Sequence, residues 1–235
     1  MPVRDSEPIN LTDGYPGFPV TAFCIPERYA PYLSKVLISN GMIQDRLQRL
    51  AAHIVESCET MGIKDISLMC VLKGGFKFFS DLIEQMQRII WARKTELCIT
   101  VEFIRVKSYT DTSSGDINIR SIDSSMPLEG KDILVVDDIV DTGKTMVKLS
   151  EYLMSNGARS VMTCCLLLKH TSLNIGYRPD FLGFEIPDAF IVGYAIDYNE
   201  CFRDLLHICS INDTAKKTFA LNSDAQLGTL PAPDS

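Results

Sequence analysis

Short, almost wholly apolar runs alternate with segments whose apolar residues recur at helical spacing through the middle of this chain. An apolar run without polar alternation is typical of a strand buried on both faces of a sheet, whereas recurrence every three or four residues indicates an amphipathic helix. The predicted strands are residues 66–72, 98–106, 131–138 and 160–169, and the predicted helices are residues 42–58, 76–93 and 144–157. This alternation predicts an α/β fold with a mostly parallel, twisted sheet flanked by helices.

The two ends and the last third of the chain depart from this alternation. Residues 1–20 are polar and turn-rich, which predicts an irregular N-terminal arm, and residues 221–235 have little to bury, which predicts a flexible tail. Residues 181–209 are rich in aromatics and turns, and we expect them to add a strand and a small hood lobe over the carboxyl edge of the sheet. We therefore expect a single domain over residues 21–220.

A polar stretch, residues 107–130, interrupts the alternating pattern. It is too long for a simple connector, and long polar loops in compact domains are often functional. The alternative is a hairpin excursion without a role.

Composition and charge narrow the class of protein. The 235 residues are 46% hydrophobic and 23% charged, as in an ordinary globular domain, and the formal net charge is −7. This acidic balance argues against broad binding to nucleic acid and favours small polar substrates. The N-terminus lacks the apolar core of a signal peptide, and no apolar run has the length of a membrane span, so we expect a cytoplasmic protein with no membrane partner.

The eight cysteines and three histidines do not suggest a metal or redox centre. No C-x-x-C is present, and several cysteines lie inside apolar runs, which is typical of reduced, buried thiols in a reducing compartment. The histidines have no spacing that resembles a zinc site.

The stretch ILVVDDIVDTGKT, residues 133–145, places three carboxylates directly before Thr-Gly-Lys-Thr. Ligands of open parallel sheets bind beyond the carboxyl ends of the strands, and the N-terminus of a helix binds phosphate. A Walker A nucleotide loop would need a glycine five positions before Gly143, where this chain has Asp138, so that motif is excluded.

The adjacent carboxylates of Asp137 and Asp138 suit the hydroxyl groups of a ribose, either directly or through Mg²⁺. The alternative is a solvated strand end followed by Asp141 as an ordinary helix N-cap. Spacing alone does not decide between the two interpretations.

Residues 135–145 resemble the phosphoribosyl diphosphate (PRPP) motif of the type I phosphoribosyltransferases, which has four apolar residues, two acids, two variable residues and then D-T/S-G-x-T. The chain is similar to the hypoxanthine-guanine members of that family in four further stretches: residues 70–82, 101–109, 166–171 and 178–205. The similarity runs from about Phe23 to about Phe219.

This resemblance implies the type I phosphoribosyltransferase fold and an activity in purine salvage. Members of the family transfer the 5-phosphoribosyl group of PRPP to N9 of hypoxanthine or guanine, and form IMP or GMP and pyrophosphate with Mg²⁺ as cofactor. The resemblance also implies a homodimer or homotetramer.

For the PRPP motif, the resemblance implies a role for each polar residue. Asp141 matches the acid near purine N7, where a carboxylate can take up the proton displaced from the ring. Asp137 and Asp138 match the pair that holds the ribose hydroxyls, and they approach Mg²⁺ only through those hydroxyls. The residues that match the cradle for the 5′-phosphate are Thr142, Gly143, Lys144 and Thr145.

Pyrophosphate and the metal are assigned by the same resemblance. Lys73 and Gly74 match a loop that meets pyrophosphate through its backbone N–H groups and contains a non-proline cis peptide. Arg203 matches the pyrophosphate-binding arginine, a task that suits its bidentate guanidinium, although the alternative is a surface ion pair. Asp197 matches the acid that holds the second Mg²⁺.

Purine recognition is assigned to Lys169, Phe190, Ile191 and the acid Asp197. Lys169 can donate to the 6-oxo group that hypoxanthine and guanine have and adenine lacks. Phe190 would stack on the base, and the backbone of Ile191 would bond to the edge of the base. Without the resemblance, Phe190 is expected in the core and Lys169 in solvent. His170 stands where the family usually has arginine.

Ser108 and Tyr109 match the start of a mobile loop that closes over the reacting centre and excludes water, which gives residues 107–130 a function. Two other hypotheses use the same fold. A regulatory binding module would need a basic face, which the charge does not favour. A catalytically weak paralogue would be expected to lack Asp141, which is present.

Overall fold

A computed structural model describes residues 7–11, 14–106 and 127–220 of the chain. These residues fall into two compact units, one within Met1–Asp13 and Asp45–Asp188, and the other within Gly14–Gln44 and Ala189–Ser235. The strands are β1 (Ile9–Asn10), β2 (Leu33–Ile38), β3 (Asp65–Leu72), β4 (Cys98–Arg105), β5 (Asp132–Val140), β6 (Ser160–His170), β7 (Phe181–Pro187), β8 (Ile191–Val192) and β9 (Ile208–Ile211). The α-helices are α1 (Asn40–Met61), α2 (Phe76–Arg93), α3 (Lys144–Ser155) and α4 (Asp213–Thr218).

The first unit is built on a six-stranded sheet in the order β1-β7-β6-β5-β3-β4, and every neighbouring pair in it is parallel. The central strands β3, β5 and β6 are buried along most of their length, as their continuous apolar sequences predicted. The predicted parallel α/β sheet is therefore confirmed.

Helices α2 and α3 bury apolar residues that recur every three or four positions. In α2, Phe78, Phe79, Leu82 and Met86 lie in the core, and the helix ends where Lys94 adopts a left-handed conformation with φ of 53°. In α3 the buried residues are Met146, Leu149 and Leu153. This spacing places each apolar stripe on one face of its helix.

The register of the central strands brings three loops to the same edge of the sheet. Cys70 of β3 pairs with Val136 of β5, and Val140 of β5 pairs with Leu168 of β6. The residues that follow these three strands therefore leave the sheet side by side at its carboxyl edge, where open parallel sheets bind ligands.

The second unit is a three-stranded antiparallel sheet in the order β2-β9-β8. Its core contains residues from both ends of the unit, among them Val36, Val192, Phe202 and Cys209. The sequence predicted a strand and a lobe from the last third of the chain, but it did not predict that β2 also belongs to this sheet.

The N-terminal arm is not wholly irregular. Ile9 and Asn10 form β1, which pairs in parallel with Phe184 and Glu185 of β7, and Leu11 is buried. The predicted tail, residues 221–235, lies outside the described residues. None of the described helices is both long and apolar enough to cross a membrane.

Candidate active site

Asp137 and Asp138 lie at the carboxyl end of β5, and each carboxylate folds back onto the chain. Asp137 Oδ1 accepts a hydrogen bond from the backbone N–H of Asp138 at 3.0 Å, and Asp138 Oδ1 accepts one from Ile139 at 2.8 Å. The pKa of Asp137 is raised well above its usual range, first because burial removes its carboxylate from water and second because Asp138 is a neighbouring negative charge. Asp137 therefore has an unfavourable charge that a polar ligand could relieve.

The loop after β3 approaches the same carboxylates. The peptide bond between Leu72 and Lys73 is cis, in the loop where the resemblance placed such a bond. A Cβ atom on Gly74 would lie 2.0 Å from Asp138 Oδ2, and one on Gly75 would lie 2.7 Å from the carbonyl oxygen of Val71. Both positions thus require glycine for this close packing.

The residues that follow β5 form a turn and then the N-terminus of α3. Gly143 is the N-cap residue of the helix, with φ of 81°, a left-handed conformation that favours glycine, and as a glycine it has no side chain to cap the helix. The N–H of Lys144 makes a long contact of 3.4 Å with Thr142 Oγ1. An uncapped N-terminus presents N–H groups and a positive dipole end to an anion.

A cavity of about 140 Å³ lies beside this turn, and most residues of the predicted PRPP motif line it. Its lining includes two carboxylates and two hydroxyl groups, those of Asp137, Asp141, Thr142 and Thr145. Asp141 is exposed and does not cap α3 through its side chain. The interpretation of Asp141 as an ordinary N-cap is therefore wrong.

Lys169 lies near the end of β6, at the same edge of the sheet. Its side chain is only 15% exposed and its Nζ is 3.9 Å from Asp188 Oδ1. The expectation of a solvated strand-end charge is wrong. The neighbouring His170 contacts Glu185 at 2.5 Å, so it belongs to an ion-paired cluster of the first unit.

Phe190 and Ile191 lie in the second unit and differ in exposure. The Phe190 side chain is 58% exposed, so the expectation of a core phenylalanine is wrong, whereas Ile191 is buried in β8. Lys216 Nζ lies 5.2 Å from the centroid of the Phe190 ring, within the range of a cation–π contact. The ring of Phe190 is thus presented at the surface by a backbone that is itself fixed, since its carbonyl accepts from the N–H of Ile211 at 3.1 Å.

Asp197 and Arg203, also in the second unit, are paired with each other. Arg203 Nη2 lies 2.9 Å from Asp197 Oδ1 and 3.3 Å from Glu200 Oε1, while Nη1 donates to the Ala195 carbonyl at 2.7 Å. The Nε of Arg203 is buried and has no hydrogen-bond partner in the described part of the chain. These contacts use three of the five guanidinium N–H groups, which leaves one at Nη1 and the one at Nε without a named acceptor.

The turn that holds this pair has unusual backbone geometry. Five non-glycine residues in it have left-handed φ values between 50° and 74°, namely Tyr194, Ala195, Asn199, Glu200 and Phe202. Such conformations are costly and persist where surrounding contacts enforce them, often at functional sites.

The carboxylates present fit a metal ion that shares its ligands with a substrate. Among the described residues, no group of three or more His, Cys, Asp or Glu side chains could hold a metal by itself. Mg²⁺ is usually bound through one or two carboxylates together with substrate phosphates and water, and the partly exposed carboxylate of Asp197 suits that role.

Some predicted residues could not be compared with the structure, and others were missed by sequence reasoning. Ser108 and Tyr109 lie outside the described residues. Tyr177 contacts Gly143 and Glu200 contacts Arg203, while Glu185 contacts His170 beside Lys169, and none of the three was predicted. Only Glu200 had a local signal, because it precedes Arg203 by three positions.

Comparisons with known proteins agree with this geometry. The family model described as "Phosphoribosyl transferase domain" matches residues 39–199. The chain is 46% identical over 220 residues to the hypoxanthine-guanine phosphoribosyltransferase of Mus musculus, which covers 93% of this chain and 99% of the mouse protein.

Two solved structures are similar as well. The crystal structure of hypoxanthine-guanine phosphoribosyltransferase from Schistosoma mansoni in complex with IMP is 43% identical, with a TM-score of 0.79, and the match covers 92% of this chain and all of that one. The hypoxanthine phosphoribosyl transferase of Trypanosoma cruzi, from a study of its C-terminal region, oligomeric state and activity, is 28% identical with a TM-score of 0.71, over 79% of this chain and 95% of that one.

The fold and the family match thus define the class of protein: it is a phosphoribosyltransferase with the type I fold. Within that class, the chain belongs to the hypoxanthine-guanine phosphoribosyltransferase family.

Proposed function

We propose that this protein transfers the 5-phosphoribosyl group of PRPP to N9 of hypoxanthine or guanine, and so yields IMP or GMP and pyrophosphate. The observation that carries the proposal is the cavity at the carboxyl end of β5. The carboxylates of Asp137 and Asp141 and the hydroxyl groups of Thr142 and Thr145 line this one cavity, which supports binding of a ribose phosphate there. The membership of the chain in the hypoxanthine-guanine family supports the choice of base.

The ribose phosphate would be held by two kinds of group. The carboxylates of Asp137 and Asp138 would accept hydrogen bonds from the 2′- and 3′-hydroxyls, and the raised pKa of Asp137 supports this role because each such bond stabilises a charge that burial disfavours. The 5′-phosphate would bind at the N-terminus of α3, where the hydroxyl groups of Thr142 and Thr145 and the ammonium of Lys144 would surround it.

Asp141 would take up or share the proton that leaves N7 as the new bond forms at N9. Two features support this assignment. Its carboxylate is exposed rather than used as a helix cap, and it lies between the ribose carboxylates and the phosphate groups along the chain. A carboxylate in reach of the ring nitrogen is suited to general base catalysis.

Pyrophosphate would be bound by the backbone N–H groups of Lys73 and Gly74 and by the guanidinium of Arg203. The partly exposed guanidinium of Arg203 supports this role, because its planar fork of donors suits a phosphate group. Asp197 would hold Mg²⁺ together with substrate oxygens, and the bound ion would neutralise charge on the leaving pyrophosphate.

Purine choice would rest on Lys169, Phe190 and Ile191. The low exposure of Lys169 supports donation to a 6-oxo group. With adenine bound, the shielded ammonium of Lys169 would face the 6-amino group of the base, which is also a donor, and so would lack an acceptor there. The exposure of the Phe190 ring supports stacking on the base, and the backbone of Ile191 would bond to the edge of the base. Ser108 and Tyr109 would begin the loop that covers the reacting centre.

The test is a PRPP-dependent assay of the purified protein with hypoxanthine, guanine, xanthine and adenine in parallel, with and without Mg²⁺. We expect turnover with hypoxanthine and guanine that requires Mg²⁺, and far less turnover with adenine. Absence of turnover with every base would rule out the proposed activity.

We also propose that the enzyme is a homodimer or homotetramer. The study of the Trypanosoma cruzi protein, which treats the oligomeric state of that enzyme together with its activity, supports this expectation. Light scattering on the purified chain should give two or four times the mass of one subunit, and a mass of one subunit at assay concentrations would contradict it.

We propose that the enzyme acts in the cytoplasm. All eight cysteines are free, and burial raises the pKa of Cys58, Cys70 and Cys209 to about 12, as expected of thiols that serve as packing residues in a reducing compartment. Cell fractionation with an antibody against the chain would test the compartment directly.

A further inference from the structure

A tyrosine packs directly against the glycine of the phosphate-binding turn. A Cβ atom on Gly143 would lie 2.3 Å from Cβ and 2.9 Å from Cγ of Tyr177, so the Tyr177 side chain packs against the Gly143 backbone as closely as glycine allows. Tyr177 lies 34 positions further along the chain, in the loop between β6 and β7. The left-handed turn at Gly143 therefore rests on this side chain.

The same loop also bonds to the turn through its backbone. The N–H of Ile175 donates to the carbonyl of Thr142 at 3.1 Å. Asn174 Oδ1 accepts from the N–H groups of Gly176 and Tyr177, both at 2.9 Å, and this side-chain turn fixes the loop where it contacts Thr142 and Gly143.

The phenol of Tyr177 is anchored inside the first unit. Its hydroxyl donates to Thr163 Oγ1 at 2.9 Å, and Thr163 in turn donates to Asp180 Oδ2 through both its hydroxyl, at 3.0 Å, and its backbone N–H, at 2.9 Å. Burial raises the pKa of Tyr177, so the phenol stays protonated and keeps donating.

The two ends of the loop are held by one buried carboxylate. Glu185 Oε2 lies 2.5 Å from His170 Nε2, and Glu185 Oε1 lies 2.6 Å from Arg178 Nη1. His170 follows the proposed purine lysine, and Arg178 follows Tyr177. The segment between them is thus tied down at both ends and contacts the phosphate turn in its middle.

We propose that Tyr177 is a positioning residue for the 5′-phosphate: its ring holds Gly143 and Thr142 in the conformation that directs the N-terminus of α3 at the phosphate. This inference rests on the proposed function, because it assigns Tyr177 to the phosphate end of that site. It predicts an effect on ligands that carry the 5′-phosphate and none on the free base or on pyrophosphate.

The test compares Tyr177→Ala with Tyr177→Phe and with Tyr152→Ala. Tyr152 is a matched control, because it is a partly buried tyrosine that packs against the same core cluster, but on α3. We expect Tyr177→Ala to raise the KM for PRPP roughly 10- to 100-fold, as a displaced binding group does, with the KM for hypoxanthine unchanged within about threefold. Tyr177→Phe, which keeps the ring, should restore the KM for PRPP, and Tyr152→Ala should not shift it.

Direct binding separates this inference from the proposed function, since it needs no turnover. Calorimetry should show weaker binding of IMP to Tyr177→Ala, with unchanged binding of pyrophosphate. An unchanged affinity for IMP, an equal loss for IMP and pyrophosphate, or the same loss in Tyr152→Ala would overturn the inference while leaving the proposed activity intact.

A milder variant keeps the test decisive if Tyr177→Ala does not fold. Asn174→Ala removes only the side-chain turn that fixes the loop, outside the core. We expect it to raise the KM for PRPP by about 3- to 10-fold with no change for hypoxanthine. An unchanged KM for PRPP in Asn174→Ala would count against the role of the loop.

Discussion

Gly74 and Asp138 approach so closely that a Cβ atom on residue 74 would lie 2.0 Å from the Asp138 carboxylate. The contact joins the loop after β3 to the end of β5. It thus connects the residues that we propose bind pyrophosphate with those that we propose bind ribose. The two loops therefore pack against each other at this contact.

Gly74→Ala is therefore expected to displace Asp138 and to impair PRPP use. Overpacking of this kind costs about 1–3 kcal/mol of stability, and a displacement of about 1 Å at a substrate-positioning group can lower kcat/KM by about 10²-fold. Steady-state kinetics measure the loss. Gly41→Ala is the control, because its Cβ would meet only Ser39 Oγ at 3.8 Å. Equal kinetics for wild type and Gly74→Ala would show that this contact has no functional role.

Asp141→Asn is expected to lower turnover by roughly 10²–10⁴ while PRPP binding is retained, because the amide cannot accept the N7 proton. Pre-steady-state turnover together with calorimetric titration of PRPP measures the two effects separately. Full turnover in the variant would remove Asp141 from the mechanism.

Asp137→Asn is expected to make the free protein more stable and to weaken its binding of PRPP. The raised pKa of Asp137 means that the folded protein binds the proton more tightly than the unfolded chain does. Its contribution to stability is therefore greatest below the ordinary value of 3.8 and is lost as the pH rises through the raised pKa.

At neutral pH, Asp137→Asn should thus raise Tm by about 2–4 °C, equivalent to about 1 kcal/mol. The KM for PRPP should rise about 10-fold, through loss of a hydrogen bond to a charged group. Thermal melts at pH 7 and pH 4 test the pH dependence of this effect, since the increase in Tm should be smaller at pH 4. Asp65→Asn, exposed at the amino end of β3, is the control. A lower Tm for Asp137→Asn at pH 7 would contradict this account.

Glu185→Gln is expected to destabilise the protein at neutral pH by about 1–3 kcal/mol, because the hydrogen bonds from His170 and Arg178 lose their charged, buried acceptor. Burial alone would raise the pKa of Glu185, but the hydrogen bonds from His170 and Arg178 outweigh it and hold the pKa below its usual 4.5. The stabilisation is thus present above pH 4.5 and is lost as the pH falls through the lower, folded-state value.

Urea unfolding between pH 3 and pH 7 measures this difference between wild type and Glu185→Gln. The two midpoints should converge as the pH falls from the ordinary 4.5 through the lower, folded-state pKa of Glu185. A gap that stays constant over the whole range would show that the carboxylate charge of Glu185 is not what stabilises the loop.

The sequence predicted the elements that are encoded locally. Helix α2 has the predicted bounds, and strands β3 and β6 differ from prediction by one residue at one end, because their apolar patterns are continuous over the whole element. Strand β2 was missed, since it is a short run of six residues whose partner, β9, lies about 170 residues further along the chain.

The candidate site shows the same limit. Adjacent residues of the PRPP motif could be predicted because one turn of chain holds them together. The exposure of Phe190 and the shielding of Lys169 could not, since each depends on packing between distant segments. Likewise, the contact between Gly143 and Tyr177 depends on the β6–β7 loop returning across the sheet edge.

The central claim is tested most directly by following both products of one reaction. Purified protein with PRPP, hypoxanthine and Mg²⁺ should form IMP and pyrophosphate in equal amounts, measured by chromatography and by a pyrophosphate assay, and adenine in place of hypoxanthine should give almost no nucleotide. Failure to form IMP, or equal use of adenine, would contradict the account.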